Sequence, residues 1–112
     1  MEIDLFFAKA PGARFLYGAL LDMLRAEFGE IDLRPRKTQI GFANRRIFAC
    51  AWLPGRGAVL GVTFGLGRQV CDPRIENASQ PYPGRWTHHV LVRERGELDE
   101  HLMDWLREAY AF

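Results

Sequence analysis

The spacing of hydrophobic residues changes twice along the chain, and these changes restrict the folds that the chain can adopt. Apolar side chains recur every three to four residues in 13–28, and again after Gly96 at Leu98, Leu102 and Trp105, as on one side of a helix. Between these segments, apolar residues alternate with polar ones or form short blocks bounded by glycine and proline, as in strands. The chain therefore predicts a helix, several antiparallel strands and a second helix.

Strand-like segments fill the middle of the chain. A short extended segment at 31–36 breaks at Pro35, and residues 67–86, which are polar and contain three prolines, are interpreted as a long surface loop. The expected fold is an α+β two-layer sandwich formed by a single domain of residues 1–112. Its antiparallel sheet of four to five strands carries the N- and C-terminal helices on one face. Full strands are expected at residues 37–42, 47–53, 58–66 and 87–93.

Composition places the chain among globular domains. Of its 112 residues, 48% are hydrophobic and 26% charged, which excludes disordered, collagen-like and coiled-coil classes. No apolar run approaches the roughly 18 residues of a membrane span and no secretion signal is recognisable, so a cytoplasmic protein without a membrane partner is expected. Cys50 and Cys71 are too few for a disulfide framework or a zinc ribbon, and both are expected to be reduced thiols. No cofactor is expected.

Basic residues are concentrated in the middle of the chain. Residues 33–71 contain seven basic and no acidic side chains, although the net charge of the whole chain is only +1. A positive region of this kind attracts phosphate or carboxylate groups. It can equally pair with the acidic ends of the chain or with an acidic partner.

Six side chains could converge on a shallow anion pocket on the sheet face that the helices leave open. Guanidinium groups hold phosphate or carboxylate in a planar fork, lysine adds a point charge, and an imidazole adds a hydrogen-bond donor. An alternative for Arg74 and Arg85 is that they pin the long loop to the acidic final helix. The six candidates for ligand binding are Lys37, Gln39, Arg74, Arg85, His89 and Tyr110.

The adjacent histidines His88 and His89 raise the question of whether they could bind a metal ion together. Neighbouring strand residues point to opposite faces, so the two imidazoles cannot easily share one coordination shell, and no metal site is expected. If Val90 and Val92 face the helices, His88 lies in the core with them and His89 lies on the open face with Thr87.

No catalytic arrangement is recognisable in the sequence. A nucleophile with a nearby base, or a pair of carboxylates, is missing at any known spacing. An enzyme is therefore less expected than a binding protein. If a reaction is catalysed, His89 would carry it together with Cys71 or Lys37.

Most aromatic residues are expected in the core between sheet and helices, and only Tyr82 and Trp86 could stack on a ligand. Nucleic acid is an unlikely partner, because no known nucleic-acid-binding signature occurs and the isoelectric point is only about 7.8. The aromatic residues considered for the core are Phe42, Phe48, Trp52, Phe64, Trp86, Trp105 and Tyr110, and of these Trp86 is the one that could stack on a ligand instead.

Several motifs resemble one family. KTQIGF at 37–42, DPRI at 72–75, PYPGRWTHHV at 81–90 and WLREAY at 105–110, with ELDE at 97–100 before the last, are similar to the pattern of a bacterial family catalogued as a domain of unknown function. The resemblance spans the chain from about residue 6. It implies a small α+β domain in bacteria and brings no established activity.

The function favoured by the residues is non-catalytic binding of a small anionic ligand or nucleotide on the open sheet face. The first alternative is a protein-interaction or self-association module, and the second is a small hydrolase or transferase using His89. Either a monomer or a homodimer is compatible with the sequence.

Overall fold

The computed structural model describes residues 2–112, and within them six strands form one sheet and three α-helices accompany it. The elements in chain order are α1 (Glu2–Phe6), α2 (Pro11–Phe28), β1 (Asp32–Pro35), β2 (Ile40–Ala43), β3 (Ile47–Trp52), β4 (Leu60–Leu66), β5 (Ile75–Tyr82), β6 (Arg85–Val92), a short 3₁₀ turn (Arg95–Glu97) and α3 (Glu100–Ala111).

The sheet has the strand order β1-β2-β3-β4-β6-β5, and every neighbouring pair is antiparallel. The α+β class is therefore confirmed, and the expected four to five strands are corrected to six. The sheet begins as a simple meander from β1 to β4 and then departs from it, because β6 lies between β4 and β5.

The strand that was missed, β5, lies inside the segment interpreted as a loop. It is an edge strand with irregular pairing at two places, and Pro81 lies near its end. Most of its residues are exposed. Because an exposed edge needs no apolar alternation and tolerates proline, the sequence of β5 carries the polar pattern of a loop.

Residues 67–74, the crossover segment, connect β4 to β5 across the face of β6 that is covered by the helices. Inside it, the backbone N–H of Val70 donates a hydrogen bond to Nε2 of His88, at 2.9 Å. Its two ends are tied to α3: Arg68 pairs with Glu108 at 2.8 Å and Arg74 with Asp99 at 2.9 Å. The crossover segment is therefore part of the helix layer.

Helices α2 and α3 pack on one face of the sheet and bury its apolar side chains. Helix α2 begins at Pro11, two residues earlier than expected, because proline suits the first turn, and it is capped after Phe28 by Gly29 with a φ of 80°. Helix α3 is capped by Asp99, whose carboxylate accepts from the N–H of Leu102 at 3.0 Å. The core side chains contributed by the sheet are Ile40, Phe42, Phe48, Ala49, Ala51, Leu60, Val62, Phe64, Leu66, Val90 and Val92.

Within residues 2–112, each helix is too short or too polar to span a lipid bilayer.

Candidate ligand-binding site

The open face of the sheet, which the helices do not cover, carries a continuous row of small and polar residues. Strand pairing aligns Cys50 with Thr63, Thr63 with His89, and His89 with Asn77. Since partners across antiparallel strands point to the same face, these side chains stand side by side across four strands. Gly41, the partner of Cys50, continues the row at its other end.

Glycines allow large side chains to lie flat on this face. The Trp52 indole covers Gly61 so closely that a Cβ there would overlap its ring carbons, and the Arg85 guanidinium covers Gly65 in the same way. A Cβ on Gly41 would lie 2.9 Å from Ile47 Cδ1. The open face is therefore shaped by side chains folded across it.

A cavity of about 710 Å³ lies between these side chains. Its volume falls within the range of roughly 300–1,000 Å³ that is typical of small-molecule sites. No lysine or arginine lines it, and Glu76 is its single acidic lining residue among residues 2–112. The lining residues are Thr38, Gln39, Cys50, Trp52, Pro54, Thr63, Glu76, Asn77, Thr87, His89 and Leu91.

A hydrogen-bonded chain runs along the floor of the cavity. Nε1–H of Trp52 donates to Oγ1 of Thr63 at 2.7 Å, and the same oxygen lies 2.7 Å from Nδ1 of His89. We assign the hydroxyl proton of Thr63 to Nδ1, since its oxygen accepts from the indole, and with this assignment the imidazole carries its own proton on Nε2. Nε2 of His89 makes no hydrogen bond within the described chain, so it is available to a ligand.

Burial keeps the floor of this cavity uncharged. It lowers the pKa of His89 below its ordinary value, which favours neutral imidazole at pH 7. It also raises the pKa of the Cys50 thiol, and the nearby Thr63 side chain opposes this only in part. The thiol donates to Oε1 of Gln39 at a long 3.6 Å. The floor therefore offers neutral donors and acceptors rather than charge.

Only Gln39 and His89, of the six predicted site residues, line this cavity. Lys37 lies in the turn between β1 and β2, in a neighbouring groove. The guanidinium of Arg85 lies on the open face above Gly65, 6.0 Å from the ring of Phe112, and it has no carboxylate partner in residues 2–112.

The structure places Arg74 and Tyr110 on the helix side, away from this cavity. Arg74 donates to Asp99 and to the carbonyl of Glu97, which is the loop-pinning role considered as its alternative. Tyr110 stacks on Phe28 with ring centres 4.0 Å apart, because the end of α3 packs against the end of α2. The structure therefore does not bring all six predicted residues together in one pocket.

The two neighbouring histidines face opposite sides of the sheet. His88 is fully buried, stacks on Phe64 at 5.4 Å and keeps its Nδ1 without a partner in residues 2–112. Cys71 belongs to the crossover segment on that same helix side, so the structure does not bring it to His89 on the open face. Among the described residues, no three His, Cys, Asp or Glu side chains are grouped to hold a metal ion.

Sequence reasoning missed Trp52, Cys50 and Thr63 as site residues. Trp52 was assigned to the core because large aromatic residues are usually buried. The signal that locates it is strand parity: Trp52 is two residues from Cys50, and both face away from Ala49 and Ala51 in the core.

Comparison with known proteins gives one match. The model of a family described as domain of unknown function (DUF5655) matches residues 3–112. No curated protein and no solved structure matches the chain significantly.

Proposed function

Because the chain belongs to the family described as domain of unknown function (DUF5655), its family supplies no activity, and we propose from the geometry that it binds a small planar organic molecule in the open-face cavity. The observation that carries this proposal is the chain of hydrogen bonds from Trp52 through Thr63 to His89 on the cavity floor. It holds two rings in fixed positions beside a space that, among residues 2–112, has Glu76 as its single acidic lining residue and no lysine or arginine.

The shape of the cavity favours a planar ligand. The indole of Trp52 lies flat on the sheet, and the ring of His89 stands edge-on to it, with ring centres 6.0 Å apart and planes at 86°. Leu91 and Pro54 add apolar lining. Aromatic rings of a ligand are stabilised by such stacked and edge-to-face contacts.

The polar groups that remain free favour a ligand with hydrogen-bond acceptors at its edge. Nε2–H of His89 is available, and the amide nitrogen of Gln39 is also free because only its oxygen is used by Cys50. Ring nitrogens and carbonyl oxygens, as found in heteroaromatic compounds, fit these donors. A few fixed polar groups in an apolar lining are typical of small-molecule sites.

The geometry supports binding better than catalysis. A catalytic histidine is commonly oriented by a carboxylate, whereas Nδ1 of His89 meets the hydroxyl of Thr63. The nearby thiol of Cys50 has a raised pKa and is therefore protonated at neutral pH, which makes it a poor nucleophile. The hydrolase or transferase alternative finds less support than ligand binding.

Self-association through the sheet edges also finds less support. One edge strand, β1, has four residues and ends in Pro35, and the other, β5, has two pairing irregularities and contains Pro81. Short edges, irregular pairing and proline are features that discourage pairing with another chain.

The test is a screen of planar heteroaromatic fragments by thermal shift, followed by NMR titration of the hits. A ligand at 100 times its Kd adds about 2.7 kcal/mol to the free energy of unfolding, which is readily measured in a chain of this size. Binding should weaken at least tenfold in Trp52→Leu and in His89→Gln. The matched control is Tyr82→Ala, since Tyr82 is 59% exposed at the far hairpin.

Hits that bind Trp52→Leu and His89→Gln as well as the wild type, with both variants folded, would overturn the proposal. So would a panel in which no fragment shifts the resonances of residues lining the cavity.

A further inference from the structure

A second surface depression, made of two overlapping grooves, lies next to the open-face cavity. Two shallow grooves of about 420 and 380 Å³ share Leu5, Phe6 and Lys37, and we call them together the basic groove. They lie between α1 and the turn that joins β1 to β2. The lining residues are Leu5, Phe6, Ala8, Lys9, Pro35, Arg36, Lys37, Thr38 and Leu53.

The basic groove has positive charge that its own lining does not compensate. Lys9, Arg36 and Lys37 line it, and none of its lining residues is acidic. These three side chains form no ion pair within the part of the chain that the structure describes.

The nearest carboxylates along the chain are already paired with other arginines. Asp4 of α1 pairs with Arg14 at 3.1 Å, and Asp32 of β1 pairs with Arg34 at 3.1 Å. Because these acids are engaged, the positive charge of the basic groove is left for an external anion.

The basic groove and the cavity adjoin each other at two places. Thr38 lines both, with Lys37 on its groove side and Gln39 on its cavity side. The end of β3 makes a second junction, since Leu53 lines the groove and its neighbours Trp52 and Pro54 line the cavity. A ligand that occupies both depressions would therefore pass over Thr38 or beside Leu53.

We infer that the ligand carries an anionic group, which binds in the basic groove while its planar part occupies the open-face cavity. This inference rests on the proposed function of the cavity. The ligand class is a planar ring system with an attached phosphate, sulfonate or carboxylate, and a nucleotide is one member of it. On this inference, the anionic group of the ligand is bound by Lys37 together with Arg36 and Lys9. Arg74 and Tyr110, which the sequence also suggested, do not take part.

The size of the effect follows from the exposure of these cations. Lys37 and Arg36 are exposed, and one exposed charge pair changes affinity by up to about fivefold. Two or three such contacts give roughly tenfold. Since exposed charges are screened by salt, this gain should shrink as the Debye length falls from about 10 Å at 0.1 M to about 3 Å at 1 M.

Two fluorescent probes with the same ring system test the inference. The probe 1-anilinonaphthalene-8-sulfonate carries a sulfonate, and N-phenyl-1-naphthylamine is the same molecule without it. Fluorescence titration of the folded full chain should show roughly tenfold tighter binding of the sulfonate probe at low salt. Binding of both probes should weaken in Trp52→Leu, and near-ultraviolet circular dichroism verifies that each variant is folded.

The charge variants separate the groove from the cavity. Arg36→Gln/Lys37→Gln should abolish the preference for the sulfonate probe and leave the neutral probe unaffected. The control Arg45→Gln/Arg56→Gln removes the same charge from exposed positions outside the basic groove and should keep the preference.

The outcomes distinguish the two proposals. Probe binding that depends on Trp52 without a preference for the sulfonate, or with a preference that persists in Arg36→Gln/Lys37→Gln, overturns the anion groove and leaves the cavity proposal standing. If neither probe shows binding that depends on Trp52, the inference fails, whereas the cavity proposal is decided by the screen of heteroaromatic fragments.

Discussion

The indole of Trp52 lies across Gly61 on the neighbouring strand, in the space that a side chain at position 61 would need. The absence of a Cβ at this position therefore sets the height of the ring above the sheet. It also brings Nε1 of Trp52 within 2.7 Å of the Thr63 hydroxyl, which orients His89 in turn.

Gly61→Ala should lift the indole and break its hydrogen bond to Thr63. We expect a loss of about 1–3 kcal/mol in the free energy of unfolding, as for other overpacked sites, and at least tenfold weaker binding of planar probes. Urea denaturation and probe titration measure the two effects. Gly55→Ala is the control, because a Cβ at Gly55 meets nothing within 4 Å. Equal stability and equal probe affinity of the two variants would contradict the role given to Gly61.

Arg74→Ala should reduce stability without affecting the open-face cavity. Its guanidinium is mostly buried and joins the crossover segment to the carboxylate of Asp99 and the carbonyl of Glu97. Removing it should cost about 1–3 kcal/mol by urea denaturation and leave probe affinity within twofold. Arg56→Ala, at an exposed turn, should change neither quantity. A tenfold loss of probe affinity in Arg74→Ala would show that Arg74 serves the ligand.

Stability should fall as the pH decreases from 7 toward 5. Burial lowers the pKa of His88, with the backbone of Phe64 opposing it, and burial also lowers the pKa of His89. An unfolded histidine has a pKa of about 6.5, so below that pH the unfolded state binds more protons than the folded state, and the free energy of unfolding decreases. The slope is at most about 1.4 kcal/mol per pH unit for each group.

His88→Gln is the variant that tests this pH dependence. An amide oxygen can still accept from the N–H of Val70 but does not titrate, so urea denaturation between pH 5 and 8 should give a flatter profile than the wild type. Arg68, Glu108 and His89 are the charged or titratable groups that influence His88. An unchanged profile in both His88→Gln and His89→Gln would refute the assignment.

The two cysteines should differ strongly in reactivity. Cys50 is 8% exposed with a raised pKa, whereas Cys71 is exposed in the crossover segment. Titration with a disulfide reagent at pH 8 should therefore give one fast thiol, and Cys71→Ser should remove it. Fast modification at Cys50, located by mass spectrometry, would mean that the floor of the cavity is open and reactive.

The regular spacing of apolar residues was sufficient to predict the helices and strands that bury one of their faces. Helices α2 and α3 and the meander from β2 to β4 have regular apolar spacing, and the parity of β6 placed His88 and His89 on opposite faces. β5 could not be predicted in this way, because both of its faces are largely exposed and hydrogen bonding to β6 defines it.

Only part of the candidate site could be predicted from the sequence. The reason differs from the reason that β5 was missed. Gln39 and His89 follow from strand parity, but the partners of Arg74 and Tyr110 are residues distant in the chain. Trp52 also contradicts the usual preference of large aromatic residues for the core, since Gly61 gives it a place on the open face.

The position of β6 between β4 and β5 has a consequence for the order in which the chain assembles. β5 precedes β6 in the chain but lies outside it, so β5 lacks a strand partner until β6 has been formed. A two-residue turn containing Gly84, with a φ of 85°, lets the two strands pair locally as a hairpin.

This hairpin then docks through β6 onto the meander that ends in β4. The ties of the crossover segment to Glu108 and Asp99 can form only when α3 packs over it. We therefore expect the C-terminal third of the chain to behave as one cooperative unit. A truncation that removes α3 also removes both ties of the crossover segment, so hydrogen exchange of the β5 and β6 amides should become faster.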